Sequence, residues 1–267
     1  ARQLADSILT DRLRAQLAEE LSVDFSFALE GKARFRVNIF MQSKGVSIAL
    51  RRIPATVLTL RELDAPPVLE TIAGYQRGLV LVTGPTGSGK STTLAAMIDH
   101  INRSRKEHIL TIEDPIEYIH QHANCIVTQR EVGIDTDSFE VALKNTLRQA
   151  PDVIMIGEIR SKETMDYAVT FAETGHLCIA TLHANNANQA IDRIMHLVPA
   201  EQHGKLLFDL ALNLRGIVAQ QLIPTRDGNG RVAAIEILLN SPYIAELIKK
   251  GDVGSIKEVM EKSTEQG

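Results

Sequence analysis

The chain has 267 residues, 44% of them hydrophobic, enough for a sizeable core arranged as one large domain or two smaller ones. Its 29 Lys and Arg against 33 Asp and Glu leave a net charge of -4, which removes the strongly basic balance of a dedicated nucleic-acid binder. Aromatics are 4% with no Trp, a poor basis for stacking platforms, and the two cysteines, Cys125 and Cys178, stand far apart outside any CxxC, which argues against a disulfide framework or a zinc site.

The first residue is Ala1 rather than Met, inside a helical pattern, so the sequence reads as a piece of a longer chain. Apolar Ile8, Leu9, Leu13, Leu17 and Leu21 predict one helix over 6–21. Alternating Val23, Phe25, Phe27 and Leu29, a turn at Glu30-Gly31, and alternating Phe35, Val37, Ile39 and Met41 predict an antiparallel hairpin, with a further strand over 46–52 ending before Pro54. Residues 1–65 thus read as a small α+β domain closed by the Pro66-Pro67 pair. From 66 to 267 short apolar strands alternate with helices, the pattern of an α/β domain with a mostly parallel sheet. Strands are expected at 79–83, 109–112, 125–129, 153–157 and 177–182, and helices at 90–103, 138–149, 162–174, 188–197 and 202–214. Gly175 sits where a helix ends with positive φ. A hairpin around Asp227-Gly228-Asn229-Gly230 and helices at 242–250 and 256–262 close the chain. No apolar run approaches the roughly 18 residues needed to cross a bilayer.

Gly84-Pro85-Thr86-Gly87-Ser88-Gly89-Lys90-Ser91, followed by Thr92, satisfies G-x-x-x-x-G-K-[ST] directly between a strand and a helix. Backbone N–H groups of such a loop cradle phosphate oxygens, the helix presents its positive end, Lys90 reaches the β and γ phosphates, and Ser91 is placed to ligate Mg²⁺. The nucleotide and its metal then need carboxylates at neighbouring strand ends. Two are available: Glu113, opening Glu113-Asp114-Pro115-Ile116-Glu117 after 109–112, and Glu158, after Val153-Ile154-Met155-Ile156-Gly157, where Gly157 stands in the usual Asp position. One would polarise the attacking water and the other hold Mg²⁺, and the residues alone leave open which does which.

His176 and His183 flank the strand 177–182; His183, at the carboxyl end, is placed to sense the γ-phosphate, whereas zinc ligation lacks partners at ligand spacing. Arg34, Arg36, Arg51 and Arg52 concentrate in the first domain, either as a solvated face or as fingers reaching a nucleotide held by a neighbouring subunit.

These segments resemble the type IV pilus retraction ATPases of the PilT/PilU family, within the secretion ATPase superfamily, over nearly the whole chain. The likeness is carried by the phosphate loop, the acidic box Thr111–Glu117, the segment Gly157-Glu158-Ile159-Arg160, the box Gly175–His183, and the strands holding Arg34, Arg36 and Arg51. Gln129–Gly133, Thr181–Gln189 and the ending Lys262–Gly267 are PilU-like, and Tyr243–Ile248 replaces the A-I-R-N-L-I stretch usual in PilT, which implies an accessory role beside a PilT-type motor. The resemblance implies a RecA-like P-loop ATPase domain preceded by part of a PAS-like domain bearing arginine fingers. It implies ATP and Mg²⁺, with Glu113 activating water, Glu158 and Ser91 near the metal, and His176 and His183 in the nucleotide site. It further implies a cytoplasmic homo-hexamer, peripheral at the inner-membrane base of the pilus machine, acting on the platform protein, with no nucleic acid. Pilus extension and type II secretion ATPases share the core but usually carry a four-cysteine metal-binding insertion that this chain lacks. They remain the alternatives, with a nucleic-acid-stimulated translocase and a small-molecule kinase beside them.

Overall fold

The computed structural model describes residues 1–30, 32–54 and 56–262, so the turn at Gly31 and the ending 263–267 lie outside the described residues. In chain order the elements are α1 (Arg2–Ile8), α2 (Asp11–Glu20), β1 (Ser22–Leu29), β2 (Ala33–Gln42), β3 (Gly45–Ile53), α3 (Val68–Ala73), β4 (Gly78–Thr83), α4 (Lys90–Ser104), β5 (His108–Glu113) and β6 (Ile126–Glu131). Then follow α5 (Phe139–Thr146), β7 (Val153–Ile156), α6 (Lys162–Glu173), β8 (Leu177–Leu182), α7 (Ala187–Met195), α8 (His203–Asn213), β9 (Leu214–Pro224), β10 (Arg231–Leu239), α9 (Pro242–Lys250) and α10 (Val253–Lys262).

The single helix expected over 6–21 is two. Thr10 breaks it: its backbone is extended and its hydroxyl accepts the Leu13 N–H, capping α2 and ending α1 at Ile8. The helix expected over 138–149 is likewise shorter, α5 passing into a 3₁₀ turn at Leu147–Gln149. Gly175 has the anticipated positive φ, 101°.

Strands β1, β2 and β3 form an antiparallel sheet in sequence order, closed by α1 and α2 over Ala5, Leu9, Val23, Phe25, Val37 and Ile39. The other seven strands form a second sheet in the order β10-β9-β4-β8-β7-β5-β6, parallel except for β10 at the edge. Its central strands β4, β8, β7 and β5 are buried on both faces because side chains alternate between two helical layers. Leu79 and Leu81 face the layer containing α6 to α10, while Val80 and Val82 face α3 and α4. Since β4, β8, β7 and β5 are consecutive neighbours running the same way, whatever follows their carboxyl ends must meet along one edge. Among the described residues no helix is long and apolar enough to cross a membrane.

Candidate active site

Four strand ends converge there: the loop Gly84–Gly89 after β4, Glu113 at the end of β5, Glu158 beyond β7, and His183 beyond β8. Residues 86–89 of that loop and the three side chains line one cavity of about 630 Å³ with Lys90, Ser91 and Thr92 from α4, Arg36 from β2, Arg51 and Arg52 from β3, and Arg160 and Arg231. That volume is suited to a nucleotide-sized ligand.

The phosphate loop is held from behind by β9. Gln220 accepts from the Thr93 hydroxyl at 2.7 Å and donates to the Ser88 carbonyl at 2.8 Å. Gly84 adopts φ +153°, and a Cβ there would stand 2.2 Å from the Gln220 carbonyl oxygen, so only glycine lets the loop pass so close to its support. Lys90 Nζ lies across the loop, donating to the Gly84 and Pro85 carbonyls at 2.8 and 3.1 Å. Burial lowers its pKa, partly offset by Glu158 and Glu117. Ser91 and Thr92 open α4, where first-turn N–H groups have no intrahelical partner; the Thr92 hydroxyl bonds the Tyr118 phenol at 2.9 Å.

Glu113 is 7% exposed. Its Oε1 accepts from the Thr111 hydroxyl at 2.7 Å and from Gln129 Nε2 at 3.1 Å, and its Oε2 faces the Glu117 N–H at 3.4 Å. Burial pushes its pKa up to about 7, and these donors only partly counter it. Gln129 spends its other bonds on fixed backbone, donating to the Tyr118 carbonyl at 2.8 Å and accepting the His120 N–H at 2.8 Å. Gly157 explains the missing Asp: a Cβ there would lie 3.2 Å from both Glu113 Cα and the Ile112 carbonyl oxygen. Glu158 is gripped at both oxygens, by Arg160 at 2.6 Å and by His183 Nε2 at 3.1 Å, and Arg160 also reaches Asp114 at 3.7 Å.

The structure therefore brings together residues 86–92 of the phosphate loop, Glu113, Glu158, His183, Arg36 and Arg51, while Gly84 and Pro85 lie outside the cavity lining, their carbonyls accepting from Lys90. Arg36 and Arg51 are directly opposite in the β2–β3 ladder and line the same cavity as the phosphate loop of their own chain. Arg34 lies outside the cavity, in contacts with Glu131, Ser26 and Ile116. His176 is a correction to the expected nucleotide set. It precedes β8, at the opposite end of that strand from His183, with Nδ1 within hydrogen-bond distance of the Thr174 hydroxyl and the Phe171 carbonyl. The sequence assigned no role to Gln129, Gln220, Tyr118 or Arg160. Only the proximity of Arg160 to the strand-end carboxylate offered a local signal for any of them.

Residues 11–266 match the family model described as type II/IV secretion system protein. The chain belongs to this family. It is 59% identical to the type IV pilus ATPase PilU of Pseudomonas aeruginosa, over 100% of this chain and 70% of that protein. It is 48% identical to the pilus retraction ATPase PilT of the same organism, over 93% of this chain and 72% of PilT. A crystal structure of the pilus retraction motor PilT with bound ADP superposes with a TM-score of 0.92 at 45% identity, covering 98% of this chain and 76% of that one. This secretion ATPase is thus an α/β, RecA-like enzyme that uses nucleotide and hydrolyses ATP.

Proposed function

We propose that the chain is a subunit of a hexameric motor that drives type IV pilus retraction, in a PilU-like role beside a PilT-type ATPase. The observation that carries this reading is the convergence of the phosphate loop, Glu113, Glu158, Arg36 and Arg51 on one cavity in a chain 59% identical to PilU. The motor would sit at the cytoplasmic base of the pilus machine and act on its platform protein. Residues 1–65 form an arginine-bearing domain and 66–267 the ATPase domain.

In this reading the loop amides and Lys90 hold the β and γ phosphates. Glu113 takes the proton from the attacking water at an Oε already poised near neutral pH, as a general base requires. Arg36 and Arg51 neutralise charge developing on the transferred phosphoryl group, a contribution of roughly 10³ to 10⁵ in rate for such arginines. His183 orients Glu158. The Ser91 hydroxyl and the Glu158 carboxylate are hard oxygen donors of the kind Mg²⁺ takes, and no cluster of three or more His, Cys, Asp or Glu among the described residues competes as an all-protein cage. Bound there, Mg²⁺ would neutralise phosphate charge.

The test is genetic and enzymatic together. Cells carrying the Glu113→Gln allele in place of the wild type should retract pili more slowly, read by imaging labelled pili, while the purified variant binds ATP without turning it over. Unchanged retraction with an inactive variant would refute the motor assignment.

A further inference from the structure

We infer that Arg34 is a positioning residue, one half of an internal latch with Glu131 that fastens the first sheet to the loop following Glu113. Arg34 leaves β2 towards the second sheet, where both terminal nitrogens of its guanidinium find acceptors. Nη1 donates to the Ile116 carbonyl at 3.0 Å, and Nη2 donates to Glu131 Oε2 at 2.9 Å and to Ser26 Oγ at 3.0 Å. Glu131, 2% exposed at the end of β6, accepts in addition the Ile116 N–H at 3.1 Å and the Ser26 hydroxyl at 2.7 Å. One ion pair therefore holds both backbone groups of Ile116, with β1 supplying a third anchor through Ser26.

What it holds matters to both halves of the site. The segment Asp114–Glu117 continues directly from Glu113, and its Glu117 N–H turns back to Glu113 Oε2. Glu131 is also the ladder partner of Glu113 across β5 and β6, and the Val132 N–H donates to the Glu113 carbonyl at 2.9 Å. On the other side, Arg36 lies two residues beyond Arg34, hence on the same face of β2, and lines the cavity opposite Arg51. A charge-assisted pair whose buried carboxylate has both oxygens occupied, Oε2 by Arg34 and the Ile116 N–H and Oε1 by the Ser26 hydroxyl, fixes geometry in both directions. It sets the loop that steadies Glu113, and it sets the strand that aims Arg36. Arg34 thus acts through Glu131 and Ile116, and not on phosphate.

This inference rests on the reading of Glu113 and Arg36 as working groups, so its test includes a readout independent of turnover. The steady-state kcat and KM for ATP are measured for the full chain carrying Arg34→Ala, Glu131→Gln and both, with hydrogen exchange at the Ile116 amide. Glu131→Gln preserves shape and an acceptor while removing the charge, so it serves if Arg34→Ala fails to fold. Each single variant is expected to lower kcat by about 10- to 100-fold, the scale of a small misplacement of reacting groups. KM should change by much less, the double variant should be no slower than the worse single, and Ile116 should lose protection in all three. Wild-type kcat in Glu131→Gln alongside an inactive Arg34→Ala would make Arg34 a phosphate-contacting group and overturn the latch. Undiminished protection at Ile116 in Glu131→Gln would overturn it as well. Full turnover in Glu113→Gln would instead sink the role of Glu113 while leaving the Ile116 result to judge the latch.

Discussion

Replacing Glu113 by Gln should abolish turnover and stabilise the protein at the same time, by an amount that depends on pH. In the folded chain burial raises this carboxyl from 4.5 to about 7, so the native state holds a proton that the unfolded chain has already lost. Stability is fully present below pH 4.5 and falls as pH rises through 7, where the buried carboxyl must ionise. At about 1.4 kcal/mol per pKa unit, the cost of carrying the ionised carboxylate reaches about 3 kcal/mol at pH 8. The amide oxygen of Gln keeps the acceptor position towards Thr111 and Gln129, and only the weak 3.4 Å contact from the Glu117 N–H is lost. Urea unfolding of wild type and Glu113→Gln at pH 5 and pH 8 reads the difference directly. The variant should gain up to about 3 kcal/mol over wild type at pH 8 and little at pH 5. An equal difference at the two pH values would refute the claim that Glu113 is held at an elevated pKa by burial.

Wild-type kcat should rise with pH through about 7 as Glu113 ionises, and a flat profile between pH 6 and 8 would deny it the role of base. Lys90→Ala should weaken ATP binding measured by calorimetry, whereas Glu158→Gln should bind ATP and fail to hydrolyse it; normal turnover in Glu158→Gln would end its assignment. Gly157→Ala, whose Cβ would press on Glu113 Cα and the Ile112 carbonyl at 3.2 Å, should lower stability by about 1–3 kcal/mol in thermal unfolding and slow turnover.

Residues acting through local backbone geometry were legible in the sequence. A strand, a glycine-rich turn and a helix in succession identify the phosphate loop, and an apolar strand ending in Glu113 or in Gly157-Glu158 puts a carboxylate at a sheet edge. What stayed hidden depends on which strands become neighbours. Gln129 meets Glu113 because β6 pairs with β5, and Gln220 braces the loop because β9 pairs with β4, pairings that no short window encodes. His176 and His183 both flank one strand, yet strand direction allows only the residue at the carboxyl end to reach the site. The split of the first helix was readable, since Thr10-Asp11 is an N-cap signal inside an otherwise continuous apolar stripe. Arg34 and Arg36 look alike in sequence and share a strand face, but only burial of Glu131 beside the first separates an anchor from a group lining the cavity.

In the proposed motor ATP is hydrolysed in a cavity closed by the first-sheet arginines. The decisive measurement is the steady-state ATPase rate of the wild-type chain beside Arg36→Ala and Arg51→Ala, with ATP binding measured on each. Turnover is expected in the wild type, with a fall of about 10³-fold or more in at least one variant whose ATP binding persists. Undiminished rates in both variants would contradict this reading.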